Sequence, residues 1–125
     1  MPRRLTNVEL AAYDHIPEDL AARARVTKVP FLTPGSSGMT LGRWVFLRND
    51  SRRDGTSKLL AHELVHVQQW HDLGVRRFLW RYLAAYFRAV LRLRNHRRAY
   101  LVIPFEVEAY DRADEWMRTR ASVDR

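Results

Sequence analysis

His62-Glu63-Leu64-Val65-His66 is the stretch of this chain whose residue types and spacing can do chemistry. Residues four apart on an α-helix lie about 40° apart around its axis and one turn along it, so both imidazoles can aim at one point. Zinc accepts nitrogen ligands at roughly 2.0–2.1 Å, so a single ion fits between them. Glu63 sits beside that point. From there it can take the proton of a water whose pKa the ion has lowered to about 7. Gln69 stands where the longer H-E-x-x-H-x-x-G-x-x-H pattern places glycine, which excludes the metzincin arrangement.

Two histidines do not complete a catalytic zinc site, which usually has three protein ligands. The chain has no cysteine, so the third must be His, Asp or Glu. His71 follows His66 by five and is turned away on a continuing helix. His15 and His96 are the other histidines. The segment Ile103-Pro104-Phe105-Glu106-Val107-Glu108-Ala109-Tyr110-Asp111 offers carboxylates on a separate predicted helix. His/His/Glu is an established catalytic set, and both Glu106 and Glu108 are candidates.

The elements that must position these groups follow from pattern. Pro17-Glu18-Asp19 opens a helix, since proline and acids suit a first turn. Arg25 to Phe31 alternates and reads as a strand. Pro34 to Gly38 is a loop, and Met39 to Arg48 is a second strand centred on Trp44-Val45-Phe46-Leu47. A helix starts near Thr56 or Ser57 and ends at Gly74. A second runs from about Val75 to Arg94, and Pro104 opens a third. Trp70 and Trp80 read as core residues. Short strands followed by helices predict a small α+β domain spanning residues 1–125, with the H-E-x-x-H helix after the sheet and two further helices behind it.

His-Glu-Leu-Val-His together with Pro-Phe-Glu-Val-Glu-Ala resembles the gluzincin class of metallopeptidases. More narrowly, it is similar to the minigluzincins and to the zincin-like core domains of extracellular contractile injection systems. The resemblance implies a zinc-dependent peptide hydrolase with zinc on His62, His66 and Glu106 and with Glu63 as general base. Glu106 is assigned through the family's Glu-x-x-Ala-Asp/Asn pattern. The departure is Tyr110, where that pattern places Asp or Asn; Asp111 is the neighbouring acid, and Glu108 stays open as the alternative ligand. The resemblance also implies that Trp44 to Arg48 binds extended peptide along a sheet edge. Tyr100, His96 and Tyr110 are candidate donors to a developing oxyanion. In some small gluzincins a terminal segment blocks the cleft, a role open here to Arg118 to Arg125.

The net charge is +8, and its distribution is uneven. No acid lies between Asp72 and Glu106, an interval that holds Arg76, Arg77, Arg81, Arg88, Arg92, Arg94, Arg97 and Arg98. Arg77, Arg81, Arg88 and Arg92 fall within about 60° of each other on a helical wheel, beside a wide apolar arc. This suits a solvated stripe, an anionic membrane surface or a protein partner. Nucleic acid is not expected, because no recognised motif accompanies the charge. The rival to an enzyme is therefore a catalytically silent or latent zincin-fold module docking through 75–94. The N-terminus lacks the apolar stretch of a signal peptide, and no run reaches the roughly 20 residues of a membrane span. The expectation is a cytoplasmic protein, with peripheral membrane association as an option.

Overall fold

The computed structural model describes residues 2–32, 37–95, 99 and 103–123. Its elements are α1 (Asn7–Ala12), α2 (Glu18–Arg23), β1 (Arg25–Lys28), β2 (Gly38–Leu41), β3 (Trp44–Leu47), α3 (Lys58–Leu73), α4 (Val75–Leu93) and α5 (Pro104–Val123). The sheet order is β1-β3-β2, with β1 parallel and β2 antiparallel to β3. This is the mixed α+β architecture that the order of patterns predicts.

The strands are shorter and more folded than the sequence reading. β1 ends at Lys28; Val29 still donates to the Leu47 carbonyl at 2.9 Å, and Pro30, with no N–H, stops the pairing. The single strand expected over Met39 to Arg48 is a hairpin. Gly42, at φ +62°, makes the tight reversal between β2 and β3. Gly38, expected in a loop, opens β2, while 34–36 lie outside the described residues. The hairpin corrects a second expectation. Trp44–Leu47 is hydrogen-bonded on both sides and has no edge to offer a peptide. The edge strand is β2.

Arg3 holds the N-terminal segment to this framework. Its backbone pairs with Val26 on the outer side of β1, with both hydrogen bonds at 2.8 Å. Its guanidinium bridges two buried carboxylates, 2.7 Å from Glu9 and 2.8 Å from both oxygens of Asp50. Glu9 also closes a capping box on Thr6, which starts α1. No helical periodicity in the sequence marks that short helix.

α3 starts on Ser57, whose hydroxyl accepts from the Leu60 N–H, and stops at Gly74, φ +82°. It is buried from Leu60 to Val67, between the sheet and α5. α5 approaches it closely because Ala109 and Ala113 are small and fully covered. Trp116 then anchors α5, its indole N–H donating to the Ala12 carbonyl at 2.8 Å. α4 is different: of its side chains only Phe78 and Ala89 are buried. Trp70 is core, as expected, but Trp80 is 75% exposed, because it points away from the packed face of α4. Among the described residues no helix is long and apolar enough to cross a membrane.

Gly55 tests how the loop before α3 seats on α1. Its φ is +81°, and a Cβ there would lie 2.5 Å from that of Ala12. Gly55→Ala combines backbone strain with a clash, so it should cost more than about 1 kcal/mol, read as a lower urea midpoint at unchanged slope.

Candidate metal centre

α3 and α5 place the chemistry. His62 and His66 stand one turn apart on the face of α3 that meets α5, so helical spacing alone points both rings at the start of α5. Their Nε2 atoms are 3.2 Å apart. Glu106, in the first turn of α5, puts Oε1 at 3.1 Å from His62 Nε2 and 2.9 Å from His66 Nε2. All three side chains are buried. Ligand-type atoms of His62, Glu63 and His66 also fall within 4.8 Å of one another. The structure therefore brings together the four residues singled out from the sequence.

The arrangement fits a small divalent cation. Ligands at roughly 2.0–2.1 Å in tetrahedral geometry are about 3.3 Å from each other. The three Glu106–His62–His66 edges, 2.9 to 3.2 Å, are close to that. Atoms rich in lone pairs meet here in a buried place and need a cation or shared protons between them.

Glu63 borders this cluster on the side that faces β2. Thr40 Oγ1 is 3.0 Å from its Oε1 and 3.2 Å from its backbone oxygen. Gly38 permits the close approach: a Cβ there would sit 3.2 Å from Glu63 Oε2 and 3.1 Å from Leu47 Cδ2. Burial pushes the Glu63 carboxyl above the usual carboxylate range, against the opposing pull of His66 and His62. Glu106 goes the other way. Burial alone would raise it, but hydrogen bonds from His62, His66 and Tyr82 hold it well below that range. The two glutamates thus sit in opposite electrostatic environments within one site.

Tyr82 of α4 donates to Glu106 Oε2 at 2.8 Å. Sequence reasoning placed Tyr82 only in an apolar arc, and nothing local marks it. Its ring packs in a cluster with Phe78 and Phe105, which helps to aim the hydroxyl. Glu63, His66, Glu106 and Tyr82 open into a cavity of about 310 Å³ between β2 and α4, walled largely by apolar side chains such as Met39, Leu41, Trp70 and Leu83.

The remaining candidates lie elsewhere. Glu108 is half exposed, near Arg112, and its Oε1 meets Gln69 and not the histidines. Tyr110 packs its ring on His62, centroids 4.3 Å apart. His15 Nε2 is 2.9 Å from the Ala61 carbonyl, in an aromatic cluster with Tyr13 and Trp116. His71 is exposed at the end of α3. His96 and Tyr100 lie outside the described residues. Arg118 to Val123 continues α5, and Arg120 donates to the Ala12 carbonyl at 3.1 Å; Asp124 and Arg125 are outside the described residues.

Thr40→Val keeps the shape beside Glu63 but removes the hydroxyl. The buried carboxyl then loses a partner, so the variant should be about 1–3 kcal/mol less stable to urea, and Thr40→Ser should recover most of the loss.

Comparison with known proteins agrees with this geometry. No curated protein and no solved structure matches the chain. A family model does: residues 31–74 match the eCIS core domain, a segment that takes in β2, β3 and all of α3 through Gly74. The match leaves α4 and α5, and with them Tyr82 and Glu106, outside its span. It bears out the similarity to the zincin-like core domains of extracellular contractile injection systems that the His-Glu-Leu-Val-His motif carries.

Proposed function

We propose that this chain is a zinc-dependent peptide hydrolase. The observation that carries the reading is the meeting of His62 Nε2, His66 Nε2 and Glu106 Oε1 within about 3 Å of each other, next to Glu63 and at one end of an apolar cavity. Two imidazoles and one carboxylate without a thiolate are a donor set suited to catalytic zinc. A bound zinc would polarise the attacked carbonyl and acidify a water. His62, His66 and Glu106 would hold it. Glu63 would take the water's proton and pass it to the leaving amine, its burial making it a stronger base than an exposed carboxylate. Thr40 would fix the Glu63 carboxyl, and Tyr82 would fix Glu106. An extended peptide would add to the outer edge of β2, beyond which no strand lies among the described residues.

Purified protein should carry about one zinc per chain by elemental analysis, and His62→Ala should lose it. Glu63→Gln should keep zinc while peptide hydrolysis falls about 100- to 10,000-fold. Protein that takes up no zinc refutes the proposal at its first step; zinc without hydrolysis in the native chain refutes the enzymatic half.

A specific observation favours a second reading, a zincin-fold module that docks on an anionic membrane. Trp80, Phe87 and Leu91 are 75%, 59% and 78% exposed and, with Ala84, form one stripe along α4. Arg77, Arg81, Arg88 and Arg92 lie beside that stripe, centred about 80° away on a helical wheel. α4 has no acidic residue, so pairing with a second copy would set arginine against arginine. Exposed aromatic residues bordered by arginines suit anionic headgroups. The protein should float with vesicles containing phosphatidylserine, not with phosphatidylcholine alone, and high salt or Arg81→Glu with Arg88→Glu should release it. Equal behaviour with both vesicle types overturns the membrane reading.

A further inference from the structure

Gln69 is buried between α3 and α5, and all its polar atoms are engaged. Its Nε2 donates to the Phe105 carbonyl at 3.0 Å and to Glu108 Oε1 at 3.1 Å. A backbone carbonyl can only accept, and so can an ionised carboxylate. These two acceptors fix which end of the amide is nitrogen, an orientation that otherwise depends on the surrounding network. Gln69 Oε1 must then face His66 Nδ1, 2.8 Å away. An amide oxygen can only accept, so the proton of that contact sits on His66 Nδ1. That leaves Nε2, 2.9 Å from Glu106 Oε1 and 3.2 Å from His62 Nε2, as the atom whose proton a cation would displace.

The same amide reaches the residue just before Glu106. Phe105 and Glu106 are consecutive in the first turn of α5, so one side chain ties both partners of the contact. His62 has no equivalent: among the described residues its buried Nδ1 has no hydrogen-bond partner. The two histidines are therefore held unequally.

We infer that Gln69 is a positioning residue of the metal centre: it sets the His66 tautomer so that Nε2 is the ligating atom, and it locks the turn of α5 that carries Glu106. The inference rests on the metal reading of His62, His66 and Glu106. In effect the motif in this chain extends to H-E-x-x-H-x-x-Q, with the glutamine supplying the hydrogen bond that a ligating histidine needs on its other nitrogen.

The test compares the full-length native protein, Gln69→Leu and Gln69→Glu. Zinc affinity is read by competition with a chromophoric chelator, and the His66 tautomer by ¹⁵N shifts of the imidazole. Zinc-loaded native protein should show the proton on Nδ1. Gln69→Leu should bind zinc about 10- to 100-fold more weakly and lose that tautomer preference. Gln69→Glu keeps an acceptor at Nδ1 and loses the bond to Phe105, so it should keep the tautomer and recover part of the affinity. A merely structural glutamine would leave the tautomer unmoved in Gln69→Leu; if that variant does not fold, a Gln69→Glu zinc affinity below the native value carries the test, and an equal affinity overturns the inference. Native protein with no zinc affinity overturns this inference together with the proposed function. Zinc binding in Gln69→Leu within about threefold of the native value overturns the inference alone, as does a His66 proton on Nε2 in the zinc-loaded native protein.

Discussion

The packing of α3 against α5 depends on burying His62, His66 and Glu106 at one point. An isolated buried charge costs several kcal/mol, of that order even after relaxation, so these groups are tolerable only in each other's company. Their company requires the helices to come close. Ala109 and Ala113 on α5 supply the closeness by presenting nothing larger than a methyl group to α3. Trp116 and Arg120 finish the seam by binding the Ala12 carbonyl at the end of α1. The N-terminal segment, distant in sequence, is thereby recruited to hold α5 at the angle the site needs. The Arg3–Glu9–Asp50 cluster plays the matching part on the sheet side, fixing the segment that leads into α3.

Two glutamates from different elements acquire opposite characters by the same logic. Glu106 is surrounded by donors, from His62, His66 and Tyr82, so its anion is favoured despite burial. Glu63 faces β2, where its hydrogen-bond partner is the Thr40 hydroxyl, and burial outweighs the pull of His66 and His62. The split follows from the donors each meets: His62, His66 and Tyr82 for Glu106, the Thr40 hydroxyl for Glu63.

Sequence reading recovered what periodicity and short motifs encode. Ser57 and Gly74 bounded α3 because caps are local chemistry, and Pro104 opened α5 for the same reason. The His62–His66 pairing follows from helix geometry, so it was legible from five residues. The choice of Glu106 over Glu108 needed the family pattern, since both lie in the first turns of one helix. Non-local information was lost. The Gly42 reversal was hidden inside a run of strand-forming residues, and with it the fact that Trp44–Leu47 is the central strand. Thr6-x-x-Glu9 is a capping signature and was available, but six residues of helix give little periodicity to support it. Tyr82 has no local signal, because it acts on Glu106, 24 positions away; Gln69 stands only three residues after His66, but its ties to Phe105 and Glu108 are 36 and 39 positions away.

α4 joins the site to the surface. One of its faces carries Phe78 and Tyr82, which wall the cavity and reach Glu106; a neighbouring face carries Trp80, Phe87 and Leu91 in solvent. A helix whose sole task was to support the metal centre would need apolar residues on the first face only. The second stripe has no packing role within the described residues, and it costs solubility to expose. The arginines beside it offset that cost by keeping the surface charged, and they also set the sign of whatever meets it. Tyr82 packs beside Phe78 and Phe105 and donates to Glu106, so the face of α4 next to the surface stripe is itself part of the wall of the centre.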